Sequence, residues 1–333
     1  MIVSGERVHT EPVACNGLLV IGDPHVSSRR PGRRKDEDWP GPILRKLERC
    51  VAIANERGLA PVLLGDLFER AVEPDEALKA RLVRILKGFR IRPLTNVGNH
   101  DIAHTTLSDG DSLAVLGHAD VLDVVAGNGA VGVYRMGEHR LGIGMTPFGQ
   151  EIPRDLAGVL SGIDRLAWFT HHDIAFEGAY PGALPPFPVA GADLVVNGHV
   201  HKTKASIRAG GTLWANPGNI NRQSVDLKDH APAAWILGAD GTLTPEILPH
   251  ESDVFDLTGR LVAAASDRDM RAEVESAFVS LLQAESATDL AKSDDGSIIR
   301  EEVQAAFAAR GTSDPVRAIV LSLLDEAVER RGK

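Results

Sequence analysis

Short apolar runs that break off into polar residues set the rhythm of the first two-thirds of the chain. Residues 17–22 (GLLVIG) read as a buried strand and deliver Asp23, Pro24 and His25. Residues 42–57 carry Ile43, Leu44, Leu47, Val51 and Ala54 at helical spacing, with Pro42 in the first turn and Gly58 as the stop. Residues 61–64 (PVLL) form the next strand and lead into Gly65, Asp66, Leu67, Phe68 and Glu69. A second helix is expected over 73–87, ended by Gly88, and a third strand over 91–97 runs into Gly98-Asn99-His100-Asp101. Strands and helices alternating in this way, with polar residues at each strand end, predict an α/β sheet whose site lies along its carboxyl edge.

The pattern then changes. A short helix is followed by strands over 121–125, 131–135 and 140–145. Residues 165–170 form a strand ending at His171-His172-Asp173, and 193–197 form one ending at Gly198-His199-Val200-His201-Lys202. Residues 212–215 lead to Asn216-Pro217-Gly218-Asn219, a tight turn that is either structural or substrate-facing. Trp168, Trp214 and Trp235 lie in apolar strands and are expected in the core. From about residue 253 the composition shifts to Ala, Glu, Asp and Arg, with helical stripes over 269–283, 298–309 and from Pro315. Two domains follow: residues 1–250, and a helical extension over 251–333 that serves as a cap, a docking element or a dimerisation surface.

Composition narrows the class. With 333 residues, 43% hydrophobic and 25% charged, the chain is ordinary globular protein. A net charge of -10 argues against broad, non-specific grip on nucleic acid or anionic membranes. Two cysteines, Cys15 and Cys50, make no disulfide framework and fit a reducing cytoplasm. The N-terminus has no signal-peptide pattern, and no run has the roughly 18 apolar residues of a membrane span.

The polar strand ends carry the chemistry. In an extended segment Asp23 and His25 face one point, and an acid beside an imidazole suits a divalent cation. Asp66 is placed to bridge. Asn99, His100 and Asp101 offer a metal ligand, a proton donor and a group to orient it. At 171–173, His171 is preferred over its neighbour as the first polar residue after the strand, and His199-Val200-His201 places two imidazoles on one turn. The loop over 27–38 holds Arg29, Arg30, Arg33, Arg34 and Lys35. It reads either as a phosphate-contacting flap or as a solvated loop that Asp36, Glu37 and Asp38 partly neutralise.

In their order and spacing, Asp23-Pro24-His25, Gly65-Asp66-Leu67-Phe68-Glu69, Gly98-Asn99-His100-Asp101, His171 and Gly198-His199-Val200-His201 resemble the calcineurin-like metallophosphoesterase superfamily, over roughly residues 17–220. Glu69 stands where many members carry Asp. Gly65-Asp66-Leu67-Phe68, the basic loop, Lys202, and Asn216-Pro217-Gly218-Asn219 with Arg222 soon after are most similar to the SbcD-type DNA repair nuclease subunit. The resemblance implies a four-layer αββα sandwich of two mixed sheets. It implies one metal held by Asp23, His25, Asp66 and His201 and a second held by Asp66, Asn99, His171 and His199. Mn2+ is the favoured ion, with Fe2+, Zn2+, Ni2+ or Mg2+ as alternatives. His100 would assist the leaving group and Asp101 would orient it. Arg29, Arg30, Arg33, Lys202, Asn219 and Arg222 would contact substrate. DNA, an SbcC-like ATPase subunit and a second copy of the chain are the expected partners. A phosphodiesterase or pyrophosphatase acting on a nucleotide or small ester is the alternative. An inactive scaffold is disfavoured because all ligand positions and His100 are present.

Overall fold

The computed structural model describes residues 2–3, 9–177 and 182–256, and positions 303, 304, 307 and 321 beyond them. Two compact units are present, Met1–Thr258 and Gly259–Lys333. The first therefore runs past the expected limit at residue 250. The segment beyond that point is tied back, with Val254 and Phe255 buried and the Asp256 amide donating to the Arg33 carbonyl at 2.8 Å. The helices expected over 269–283, 298–309 and from 315 fall outside the described residues, apart from helical Val303, Gln304, Phe307 and Leu321.

The strands are β1 (Ile2–Val3), β2 (Val13–Ala14), β3 (Leu18–Ile21), β4 (Ala60–Leu63), β5 (Leu94–Asn96), β6 (Asp123–Val125), β7 (Gly129–Met136), β8 (His139–Thr146), β9 (Arg165–Thr170), β10 (Leu194–Asn197), β11 (Lys204–Ala209), β12 (Thr212–Asn216), β13 (Ala233–Leu237) and β14 (Leu243–Ile247). Among the residues described up to 256, the helices are α1 (Gly41–Arg57), α2 (Glu76–Leu86) and α3 (Ser112–His118). One seven-stranded sheet has the order β1-β6-β5-β4-β3-β13-β14, and the other β11-β12-β10-β9-β8-β7-β2. Both are mixed: β3, β4 and β5 run parallel, as do β8, β9, β10 and β12, while β13 pairs antiparallel with β3 and β7 with β8.

Strand periodicity explains the layering. In β3, Leu18 and Val20 join the core between the sheets, whereas Leu19 and Ile21 pack under the helices with Ile43, Leu47 and Leu82. In β9 and β10, Ala167, Phe169, Leu194 and Val196 face the first sheet, while Trp168 and Val195 face outward with Trp214. Each large apolar side chain buried this way contributes about 1.5–3 kcal/mol. Trp168 and Trp214 are core residues as expected, each with its indole N–H bonded, to the Thr146 hydroxyl and the Phe187 carbonyl at 2.8 Å. The outer face of the second sheet is covered by Ile152, Leu156, Ile174, Phe176 and Phe187, on segments that are irregular among the described residues rather than helical.

Helix α2 starts at Glu76 rather than at the expected residue 73, because the Asp75 carboxylate caps it by accepting from the Leu78 amide at 3.0 Å. Helix α1 ends on Gly58 at φ 67, a left-handed cap. No helix of the described residues is long and apolar enough to cross a membrane.

Candidate metal centre

The carboxyl ends of parallel strands from both sheets meet at one place. Strand β3 ends before Asp23 and His25, β4 before Asp66, β5 before Asn99 and His100, β9 before His171, and β10 before His199 and His201. Asp23, His25, Asp66 and His201 place ligand atoms within 4.8 Å of one another, and so do Asp66, His171 and His199. Asp66 belongs to both groups. Asn99 joins the second, its Oδ1 lying 2.9 Å from His199 Nδ1 and 3.2 Å from His171 Nε2.

The backbone is strained to achieve this. Asp23 (φ 30), His25 (φ 48), Asp66 (φ 48) and His199 (φ 69) all adopt left-handed conformations, which cost non-glycine residues about 1–3 kcal/mol each. Among the described non-glycine residues only Asp120 does the same. Concentrating strain on four residues of one cluster marks a site held in place for a purpose other than stability.

Each donor is aimed by a partner. Asp23 Oδ2 accepts from the His199 amide at 2.8 Å and Asp66 Oδ1 from the His100 amide at 2.8 Å. The other oxygens, Asp23 Oδ1 and Asp66 Oδ2, are buried with no hydrogen-bond donor. Asp66 Oδ2 lies 3.1 Å from His171 Nε2 and 3.7 Å from His25 Nε2. His171 Nδ1 meets the Leu64 carbonyl at 2.9 Å, so one proton sits there and Nε2 turns to the cluster, where its lone pair becomes available once an ion replaces the second proton. His25 Nδ1 meets Glu69 Oε2 at 3.0 Å, and its Nε2 lies 3.0 Å from His201 Nε2. Two donors about 2.1 Å from a common ion at right angles are about 3 Å apart, so this donor set fits divalent cations.

Electrostatics agree. Burial works against a charged ring at His171, yet the Asp66 and Asp23 carboxylates raise it to about 10. Burial likewise opposes charge on His25, but Glu69, Asp66 and Asp23 raise it to about 9. Burial, reinforced by the neighbouring His171, drives His199 down to about 3, and burial with His25 holds His201 well below the usual imidazole range. Asp66 stays well below the usual carboxylate range despite burial, because His171 and His25 lie against it. Protons on two imidazoles thus neutralise the carboxylates in the ion-free chain, and cations would replace them.

Two expected roles need correcting. Asp101 does not orient His100. Its carboxylate accepts from the Gly98 amide at 3.0 Å and the Phe68 amide at 3.2 Å, bracing the loop, while His100 Nδ1 bonds the Glu69 carbonyl at 2.8 Å. Arg222 does not present a guanidinium to substrate. It is buried, and its Nη atoms donate to the carbonyls of Lys228 and Glu251. Arg34, in the basic loop, is also inward, gripping Asp36 with two bonds of 2.7 and 2.9 Å. Arg30 donates to the Asp36 carbonyl and half-buried Arg33 to that of Asp256. Arg29, Arg30 and Lys202 are exposed, with Lys202 3.8 Å from Asp226. Asn219 is fully buried, and its side-chain amide has no hydrogen-bond partner. Gln223 was not singled out in the sequence, yet it bonds into the cluster through Glu69, the last residue of the Gly65–Glu69 motif.

Gly98 is required by space. A Cβ there would lie 2.1 Å from Asp66 Oδ1 and 2.4 Å from the Asp66 backbone nitrogen. Gly98→Ala must push the two loops apart. The expected result is a melting temperature lowered by the equivalent of about 1–3 kcal/mol, together with weakened uptake of divalent ions, checked by thermal unfolding and metal titration.

No protein-family model and no curated protein matches the chain. Among solved structures, a novel archaeal phosphodiesterase is similar at TM-score 0.37 and 13% identity, covering 69% of this chain and 99% of that one. The protein TT1561 of Thermus thermophilus gives TM-score 0.45 and 13% identity, over 70% and 99%. A 5'-nucleotidase precursor from the same organism gives 0.41 and 14%, over 81% of this chain and 59% of that one. Likenesses of this strength assign neither family nor activity.

Proposed function

We propose that the chain is a dinuclear metal-dependent phosphodiesterase. The observation that carries this is Asp66: one buried carboxylate, its Oδ2 without a donor, shared by two clusters of nitrogen and oxygen ligands. Asp23, His25, Asp66 and His201 would hold one ion, and Asp66, Asn99, His171 and His199 the other. This mixture of imidazole, amide and carboxylate donors suits Mn2+, Fe2+ or Zn2+, and Mn2+ is the one we favour from the resemblance to the nucleases. Two ions bound here supply charge neutralisation at a phosphoryl group and an activated water as nucleophile.

The protein's own part is positioning and proton transfer. The Glu69 carbonyl accepts the Nδ1 proton of His100, so the proton that would pass to the departing alkoxide is the second one, carried on Nε2 of the imidazolium, which leaves the ring neutral. The His100 amide holds Asp66 Oδ1, so the proton donor and the shared carboxylate move as one unit. Asp101 keeps both loops in place from beneath.

DNA is the substrate we favour, on the exposed Arg29, Arg30 and Lys202, which belong to the loops that follow Asp23-Pro24-His25 and the last His pair. The inward turn of Arg34 and Arg222 favours a second reading, a small phosphodiester, because fewer cations are left to grip a polyanion. Digestion of end-labelled duplex and single-stranded DNA with Mn2+, run beside bis-p-nitrophenyl phosphate, separates them. Cleavage of both substrates is expected. Hydrolysis of the small ester with DNA left intact would sink the nuclease reading and keep the phosphodiesterase one.

A further inference from the structure

We propose that Gln223 is a positioning residue for the metal centre, acting through Glu69 to fix which ring nitrogen His25 presents to the ion; the inference rests on the metal-centre reading above. Gln223 Nε2 donates to Glu69 Oε2 at 2.7 Å and also reaches the His25 carbonyl at 3.4 Å. The same Glu69 oxygen lies 3.0 Å from His25 Nδ1. The chain Gln223–Glu69–His25 therefore ends at His25 Nε2, which faces His201 Nε2 at 3.0 Å.

The Glu69 side chain is 34% exposed while the His25 side chain is fully buried. A carboxylate with that much access to water swings away from its histidine unless a second contact holds it. Gln223 provides that contact without a charge of its own. A lysine or arginine would draw the carboxylate's charge from the imidazole, and a glutamate would repel it. Metal-binding histidines generally depend on such an outer partner to fix the tautomer and the direction of the lone pair.

Gln223 is itself anchored from the basic loop. Arg34 Nη1 donates to the Arg222 carbonyl at 2.8 Å, one residue before Gln223, and the Arg222 guanidinium holds the carbonyls of Lys228 and Glu251. Two arginines that read in sequence as phosphate contacts instead hold the strand of chain that steadies a metal ligand.

The test uses the full chain, stripped with chelator and titrated calorimetrically with Mn2+. Gln223→Met keeps length and removes the donor; Gln223→Glu places like charge against Glu69. One of two ions should bind about 10-fold more weakly in Gln223→Met, more weakly still in Gln223→Glu, with the other ion unchanged. Excess Mn2+ should restore turnover in Gln223→Met. Wild-type affinity at both sites in both variants would overturn the inference alone. Equal weakening of both ions, with a lower melting temperature in the ion-free protein, would also overturn it by showing a merely structural role. Wild-type protein that takes up no Mn2+ would overturn the metal-centre reading and this inference with it.

Discussion

Asp66→Asn should leave less than one tightly bound ion per chain and reduce phosphodiester turnover by at least about 10³-fold. The substitution changes few atoms but removes the one carboxylate common to both ligand groups. Its Oδ2 is buried beside His171 Nε2 and His25 Nε2, so an amide there either turns N–H groups toward would-be ligands or offers an oxygen without charge. Both ions lose their shared anion at once. The ion-free protein also suffers, because Asp66 is the foremost charge that keeps His171 protonated and adds to Glu69 in doing the same for His25. Metal content after dialysis and hydrolysis of bis-p-nitrophenyl phosphate check the prediction. Two retained ions would show that Asp66 is not the bridge.

His100→Ala should behave in the opposite way. Its backbone amide, not its ring, holds Asp66, and alanine keeps that amide. Both ions should therefore remain. Turnover should fall by about 10²–10⁴-fold on a diester with an alkyl leaving group, the usual worth of a positioned general acid. On bis-p-nitrophenyl phosphate the loss should be much smaller, since that leaving group needs no proton. Steady-state kinetics on the two esters, beside metal analysis, provide the comparison. Loss of metal in the variant, or an equal loss of rate on both esters, would refute the proton-donor role.

The parts legible in the sequence were those with a local cause. A short apolar run must end where its residues turn polar, so the carboxyl edge bearing Asp23, Asp66, Asn99, His171 and His199 could be read directly. Trp168 and Trp214 were placed in the core by their apolar neighbours. Parts that depend on the far side of the fold were not legible. Charge does not reveal which way a side chain points, and Arg34 and Arg222 turned inward to carbonyls and to Asp36. The i,i+1 spacing of His100 and Asp101 suggested a pair, but the one-residue step sends their side chains to different partners. Gln223 lies 154 residues from Glu69 and belongs to no motif, so only the folded chain joins them. Strand β11, with its exposed, charged pattern, lacks the apolar run that marked its neighbours. The cover over the second sheet follows the irregular course of its loops rather than any helical period.

The central claim is that two ions share Asp66. Electron paramagnetic resonance of the Mn2+-loaded wild-type protein, with metal quantified per chain, tests it most directly. Two Mn2+ per chain with an exchange-coupled spectrum is the predicted result. A single ion per chain, or two ions with the spectrum of isolated Mn2+, would contradict it.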